Sequence, residues 1–307
     1  AFDINDFDET HPAPFEWDVA RLAASIVVAA DDIGFDRKTG RGLAQRAARR
    51  YREQVRALSE ETFLEVWYSK VDFVGRAAEV HETYSKADMK QVEKAARKGS
   101  RKTNVGALDR LAERVDGEWR IKADPPFIVP APRTTDVRKR LEDFFHRYTE
   151  SLPKDLLPLV RHYEVVDFAR KVVGVGSVGT EAHVALLIGT RGDDALWLQM
   201  KEATASVLER YTLSDLFEHQ GERVVFGQRL MQASSDTFLG WASSPTSRRK
   251  RVDFYVRQLN DYKVSADVSR MSERRLGFYV EVCAEALARA HACLLYTSDA
   301  ADDSKRV

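Results

Sequence analysis

The chain has 307 residues, 44% apolar and 31% charged, which is the make-up of a globular protein of one large or two smaller domains. Lysine and arginine number 48 and aspartate and glutamate 48, so the formal net charge is zero, and wholesale binding to nucleic acid or an anionic membrane is not expected. No run approaches the roughly 20 apolar residues of a membrane helix. The acidic opening AFDINDFDE has neither the basic start nor the apolar core of a secretory leader. Two cysteines, Cys283 and Cys293, offer no disulfide framework and fit a reducing cytoplasm, so the expected location is cytoplasmic. None of the seven histidines lies three or four residues from another, which removes the helical zinc pair.

Residues 2–9 read as a strand and turn, and 17–31 as a helix whose apolar face carries Val19, Leu22, Ala23, Ile26 and Val27. From 42 to 115 the pattern is helical throughout, with stretches at 43–58, 60–68 and 86–97 and a further helix around 105–115. The basic run 94–102 reads as a solvated helix end and loop. The proline-rich stretch 124–132 (DPPFIVPAP) must be loop or sheet edge, because proline cannot donate to a ladder. Helix returns at 137–151. Short β-type runs then follow at 169–173, 183–188, 196–201, 224–230 and 254–259, before an amphipathic helix at 274–292.

This texture predicts an α+β protein of two lobes. Residues 1–159 form a helical large-lobe portion that starts at the acidic strand, 160–262 a β-rich small lobe, and 263–293 a helix returning to the large lobe. The opening on Ala1 inside an expected strand suggests a fragment. The tail 294–307 resembles translated adapter sequence and carries no functional reading.

Residues 174–179 read GVGSVG, so Gly174, Gly176 and Gly179 satisfy G-x-G-x-x-G. A dinucleotide site needs a helix after the glycines. Here the β-rich TEAHVALLIG follows, which predicts strand, glycine turn, strand: a hairpin lid over phosphates rather than a Rossmann turn. After the next turn, ALWLQMK alternates as a strand, with Leu196, Leu198 and Met200 on one face and Trp197, Gln199 and Lys201 on the other. A cation on the strand after a glycine hairpin suits the α- and β-phosphates of a nucleotide, so Lys201 is the candidate. The segment 203–213 reads as helical, and its Glu209 is the carboxylate expected to hold the lysine. A surface lysine on an edge strand is the plain alternative.

The opening DINDFDE places Asp6 and Asp8 on one face of a strand, where two carboxylates could hold Mg²⁺ together with phosphate oxygens and water. Arg229, Arg257 and Lys263 could line a cleft, and Arg248 to Arg251 read as a solvated loop. No G-x-S-x-G elbow occurs, so hydrolase readings lack support.

Hairpin, lysine and acidic strand together resemble the protein-kinase-like fold, nearest to the aminoglycoside and choline phosphotransferases. The acidic strand precedes the glycine turn, so the order is permuted. In that order the phrases FDINDFDET, FEWDVARLAAS, KVVGVGSVGT, LWLQMKEA, GQRLMQASSDTFLGW and FYVRQL are similar to domain-of-unknown-function family 2252, a mainly bacterial group.

The resemblance implies ATP and Mg²⁺ as cofactors, with Asp6, and Asp8 beside it, as metal ligands. It implies Gly174, Gly176, Ser177 and Gly179 as the phosphate lid and Lys201 as the phosphate cation, with adenine against backbone near residues 258–262. It also implies a G-D-x-H-x-x-N-F-G catalytic loop, which this chain lacks: its only asparagines are Asn5, Asn104 and Asn260. The expected function is an ATP-dependent phosphotransferase acting on a small molecule, inert in this chain for want of its catalytic base. A nucleotide-binding regulator without transfer chemistry and a structural or interaction module stay open, as does the oligomeric state.

Overall fold

The computed structural model describes residues 2–79, 104–172, 179–192, 194–212, 216–244, 251–259 and 266–303. The expected helix at 86–97 lies outside them.

Helix α1 (Phe15–Asp32) turns at Gly34, whose φ of +89° suits glycine, into α2 (Arg37–Leu58). The Asp36 side chain accepts a hydrogen bond from Thr39 N at 2.7 Å and so caps α2. A capping box of Thr62 and Glu65 starts the short α3 (Phe63–Tyr68), and α4 (Phe73–Glu79) follows. Helix α5 (Asn104–Leu111) then leads into a small antiparallel hairpin, β1 (Ala112–Val115) and β2 (Glu118–Ile121). The reading of helix through 115 is corrected here. Asp116 and Gly117 have φ of 52° and 83°, the left-handed pair that an Asp-Gly hairpin turn requires.

A six-stranded antiparallel sheet forms the second layer. Its members are β3 (Ile128–Pro130), β4 (Tyr163–Lys171), β5 (Ala182–Gly189), β6 (Ala195–Glu202), β7 (Gly240–Ser244) and β8 (Val252–Gln258). The strand order is β3-β4-β5-β6-β8-β7. The proline-rich β3 lies at one edge, where its missing donors cost nothing. Strand β6 is buried on both faces, as its alternation demands. Leu196, Leu198 and Met200 pack with Phe144, Phe145 and Tyr148 of α6 (Thr135–Glu150), while Trp197 joins Val184, Leu186 and, from α5, Leu108. The Tyr148 hydroxyl, wholly buried, donates to Phe238 O at 2.6 Å. A single turn, α7 (Leu157–Val160), connects α6 to β4.

Residues 224–230, expected as strand, lie instead in helix α8 (Gln220–Met231). The run VVF is short enough to fit either period. The decisive pattern is buried Gly221, Val224, Val225 and Gln228, an i, i+3, i+4, i+7 stripe, together with the His219 ring, whose Nδ1 accepts from Glu222 N. The expected helix at 203–213 is also corrected, since among its described residues only Glu209–Tyr211 form a 3₁₀ turn. Ser206 Oγ accepts from Leu208 N and the Glu209 carboxylate from Ser206 N, local bonds that compete with helix.

The long α9 (Glu273–Asp303) closes the first layer, with Leu276, Val280, Ala284 and Ala288 at four-residue spacing against Leu43, Ala47 and Tyr51 of α2 and Ile26 of α1. His291 staples the three helices, its Nδ1 to the Tyr51 hydroxyl at 2.8 Å and its Nε2 to Asp18 at 3.2 Å. The fold is therefore α+β, and no helix among the described residues is long and apolar enough to cross a membrane.

Helix α8 approaches β8 so closely that a Cβ on Gly221 would stand 2.3 Å from Phe254 O. Gly221→Ala must push the helix off the strand, and an equilibrium urea titration is expected to show a loss of about 2 kcal/mol, the scale of core overpacking.

Candidate functional site

Strand pairing sets the site. Lys201 lies opposite Tyr255 of β8 on one side and Ala182 of β5 on the other, with Gln199 opposite Arg257 two pairs further along. Gly179 lies three residues before Ala182, so the segment joining β4 to β5, which contains the GVGSVG stretch, enters the sheet beside the lysine. Strand, glycine segment and strand form an antiparallel hairpin as read from the sequence. Gly179 has φ of +97°, a conformation that favours glycine. Gly174, Gly176 and Ser177 lie outside the described residues.

The Lys201 ammonium donates to Asp8 Oδ2 at 2.9 Å, and the Tyr255 hydroxyl donates to Asp8 Oδ1 at 2.6 Å. The side chain of Lys201 is 16% exposed and that of Asp8 42%. The amine also stands 5.5 Å from the Tyr255 ring centroid. Burial on its own would raise the Asp8 carboxyl, but the bonds from Tyr255 and Lys201, with the charges of Lys201 and Arg257, outweigh it and hold the group below the ordinary carboxylate value. Burial and the Asp8 charge push the Tyr255 phenol far up, so it stays protonated and donating.

The acidic segment is not the strand expected of it. Only Phe2 makes a bridge, to Val71, and Asp6 has φ of +78°, which breaks the alternation that would have put Asp6 and Asp8 on one face. Arg223 of α8, 2% exposed, holds the segment from below. Its guanidinium donates to Asp8 O at 2.8 Å, Thr204 O at 2.9 Å and Thr10 O, and its Nε to Gln220 Oε1 at 2.6 Å. Phe7 is buried on Val224, Val225 and Tyr255. Further along, Glu9 accepts from Val207 N at 2.8 Å, and Asp3 from Ala233 N at 2.8 Å.

The candidates thus part company. Lys201 and Asp8 meet. Asp6 is exposed and makes no hydrogen bond or ion pair among the described residues, although its charge reaches the Tyr255 phenol. Glu209 does not serve Lys201: its carboxylate turns to Ser206 N at 3.1 Å and lies 3.9 Å from Arg223, because the 3₁₀ turn carries it away from β6. Gln258 N, part of the expected adenine edge, already donates to the Asp236 carboxylate, and residues 260–262 are outside the described set. Arg229 donates to Leu239 O and is a structural strut, whereas Arg257 does face the site beside Gln199, at 3.4 Å. Lys263 lies outside the described residues.

Both oxygens of Asp8 are taken, and among the described residues no group of three or more His, Cys, Asp or Glu is placed to hold a metal. A protein cage for a cation is therefore not present there. The arrangement suits Mg²⁺ only in the way that Mg²⁺ commonly binds, through one or two carboxylates with phosphate oxygens and water. Asp6 is the side chain with its carboxylate open for that.

Sequence reasoning passed over Tyr255 and Arg223. Alternation in FYVRQL puts Tyr255 and Arg257 on one face, but the β6–β8 register that sets Tyr255 against Lys201 is a long-range property. Arg223 stands one residue before the run 224–230, whose expected strand concealed the helix that carries it.

An antiparallel sheet flanked by helices, with a largely buried amine and a carboxylate from the acidic segment joined beside the β4–β5 hairpin, defines an α+β protein with an ionic site at one end of its sheet. The chain belongs to domain-of-unknown-function family 2252, described as an uncharacterized protein conserved in bacteria, whose model matches residues 1–304. No curated protein and no solved structure matches it.

Two outcomes follow from this geometry. The Asp8 carboxyl is depressed in the fold, so its stabilising contribution is complete above the unfolded value of about 3.9 and is lost as pH falls through the folded value. Asp8→Asn is expected to melt below wild type at pH 6, with the gap narrowing as pH drops beneath 4. Arg223→Ala is expected to lose about 3 kcal/mol in chemical denaturation, the scale of breaking a buried network of charged hydrogen bonds.

Proposed function

We propose that this protein binds ATP with Mg²⁺ in a permuted kinase-like arrangement and belongs to a family of phosphotransferases acting on small molecules. The observation that carries the reading is the 2.9 Å contact between Lys201 and Asp8, which joins the middle strand to the acidic opening at the mouth of the glycine hairpin. A largely buried, oriented ammonium beside the entry of a glycine segment is what α- and β-phosphates require, since backbone N–H groups and one fixed cation spread their charge. In protein kinases a helix glutamate holds this lysine. Here Asp8 and Tyr255 take that part, which leaves Asp6 to meet a phosphate-bound Mg²⁺. The bound ion would supply charge neutralisation of the β- and γ-phosphates.

The chain carries no aspartate-and-asparagine catalytic phrase, so residues 1–307 are expected to bind without turnover. That same absence favours a second reading, a nucleotide-binding regulator, and only the presence of transfer chemistry in a protein carrying the missing phrase separates the two.

Calorimetric titration with Mg-ATP tests the binding claim. Saturable binding is expected, at least tenfold weaker in Lys201→Met, and in Asp6→Asn it should lose most of its dependence on Mg²⁺. Absence of saturable heat, or a Lys201→Met protein that binds as wild type does, would refute it. Steady ATP hydrolysis by residues 1–307 would refute the assignment of the base to the missing loop.

A further inference from the structure

The sheet face that carries Lys201 changes character at one cross-strand pair. Trp197 on β6 and Leu259, one residue past β8, are buried in the cluster that Leu108 of α5 joins. Two residues from each of them come Gln199 and Arg257, paired across the ladder, and two further on come Lys201 and Tyr255. Side chains two apart along a strand share a face, so Gln199 and Arg257 stand between the apolar cluster and the ionic pair. At 3.4 Å per residue they lie about 7 Å along the strands from Lys201.

Arg257 is only partly used by the protein. Its one hydrogen bond among the described residues runs from Nε to Gln199 Oε1 at 3.4 Å, a long contact to a neutral amide. It makes no ion pair among them, and its terminal N–H groups meet no acceptor there. The charged groups around it are engaged elsewhere. Asp8 feels the Arg257 charge, but its two oxygens are held by Lys201 and Tyr255. Asp236 accepts from the backbone N–H groups of Gln258 and Phe238. Arg223 lies under the acidic segment, with its guanidinium on the carbonyls of Asp8, Thr10 and Thr204. Asp6 is exposed and makes no ion pair among the described residues.

The order of strands gives this guanidinium a place in the pocket. The glycine segment enters on the β5 side of Lys201, and Arg257 lies on the β8 side. A chain of phosphates that begins beneath the glycine segment and crosses Lys201 reaches Arg257 next.

Resting on the reading of this site as a nucleotide pocket, we propose that Arg257 is its second phosphate-binding residue, its planar fork taking phosphate oxygens on the far side of Lys201 from the glycine segment. A guanidinium engages two phosphate oxygens at once, whereas an ammonium acts as a point charge. Lys201 and Arg257 thereby divide the work, one fixing position through Asp8 and the other supplying directed donors.

Calorimetric titration of residues 1–307 with Mg-ATP, over a series of sodium chloride concentrations at fixed Mg²⁺, tests it. Arg257→Gln is expected to bind at least tenfold more weakly than wild type, and its affinity should fall less steeply as salt rises, because a charged contact has gone. Arg257→Lys, which keeps the charge and loses the fork, should lie between the two. Arg257 makes a single long hydrogen bond among the described residues, so both variants keep the fold. Three results overturn the inference and leave the nucleotide reading standing. They are an Arg257→Gln protein that binds as tightly as wild type, one weakened with its salt dependence unchanged, and an Arg257→Lys protein equal to wild type, which would reduce Arg257 to a diffuse field. Absence of saturable heat in wild type refutes the nucleotide reading, and this inference with it.

Discussion

One ion pair organises this protein's candidate site. Lys201 reaches it from a strand buried on both faces, and Asp8 from a segment with almost no regular structure of its own. A lysine in such a strand needs a counter-charge, and its strand neighbours Ala182, Gln199, Tyr255 and Arg257 supply none. The carboxylate must come from elsewhere in the chain, and it comes from 193 residues away. A partly exposed pair contributes little to stability by itself. Its consequence is positional, since it fixes the amine beside the glycine segment and fixes the acidic segment across the end of the sheet.

The pair in turn rests on α8. Arg223 binds three backbone carbonyls, two of them in the acidic segment, and so performs for an irregular stretch what a ladder performs for a strand. Phe7 adds the apolar anchor, buried on Val224 and Val225. Because α8 also presses on β8 at Gly221, one helix sets the height of Asp8 over Lys201 and the position of Tyr255 beneath it. Displacement of α8 moves every member of the site together.

Much of the sheet was legible in the amino-acid sequence, because strict alternation fixes faces. LWLQMK placed Trp197, Gln199 and Lys201 together, and the glycines without a following helix pointed to a hairpin. The helices α1, α2, α6 and α9 followed from their apolar stripes. What escaped was set by competition between local and distant forces. VVF fits a strand as well as a helix until Gly221 and Gln228 are counted with it. Asp116-Gly117 is a hairpin turn that a generally helical region concealed. Glu209 looked well spaced to serve Lys201, but its distance along the chain held no information once Ser206 captured its carboxylate. Asp6 and Asp8 were paired on the assumption of a strand, and a single left-handed residue separated them, giving one to the lysine and leaving the other open.

The most direct test of a phosphate pocket at Lys201 is chemical. An acyl phosphate of ATP delivers its acyl group to whichever lysine amine lies against the bound phosphates, the amine attacking the carbonyl and ATP departing. Mass-spectrometric mapping after brief labelling should find the acyl group on Lys201, with labelling suppressed by excess Mg-ATP. Label scattered over exposed lysines and indifferent to Mg-ATP, with Lys201 unmodified, would contradict it.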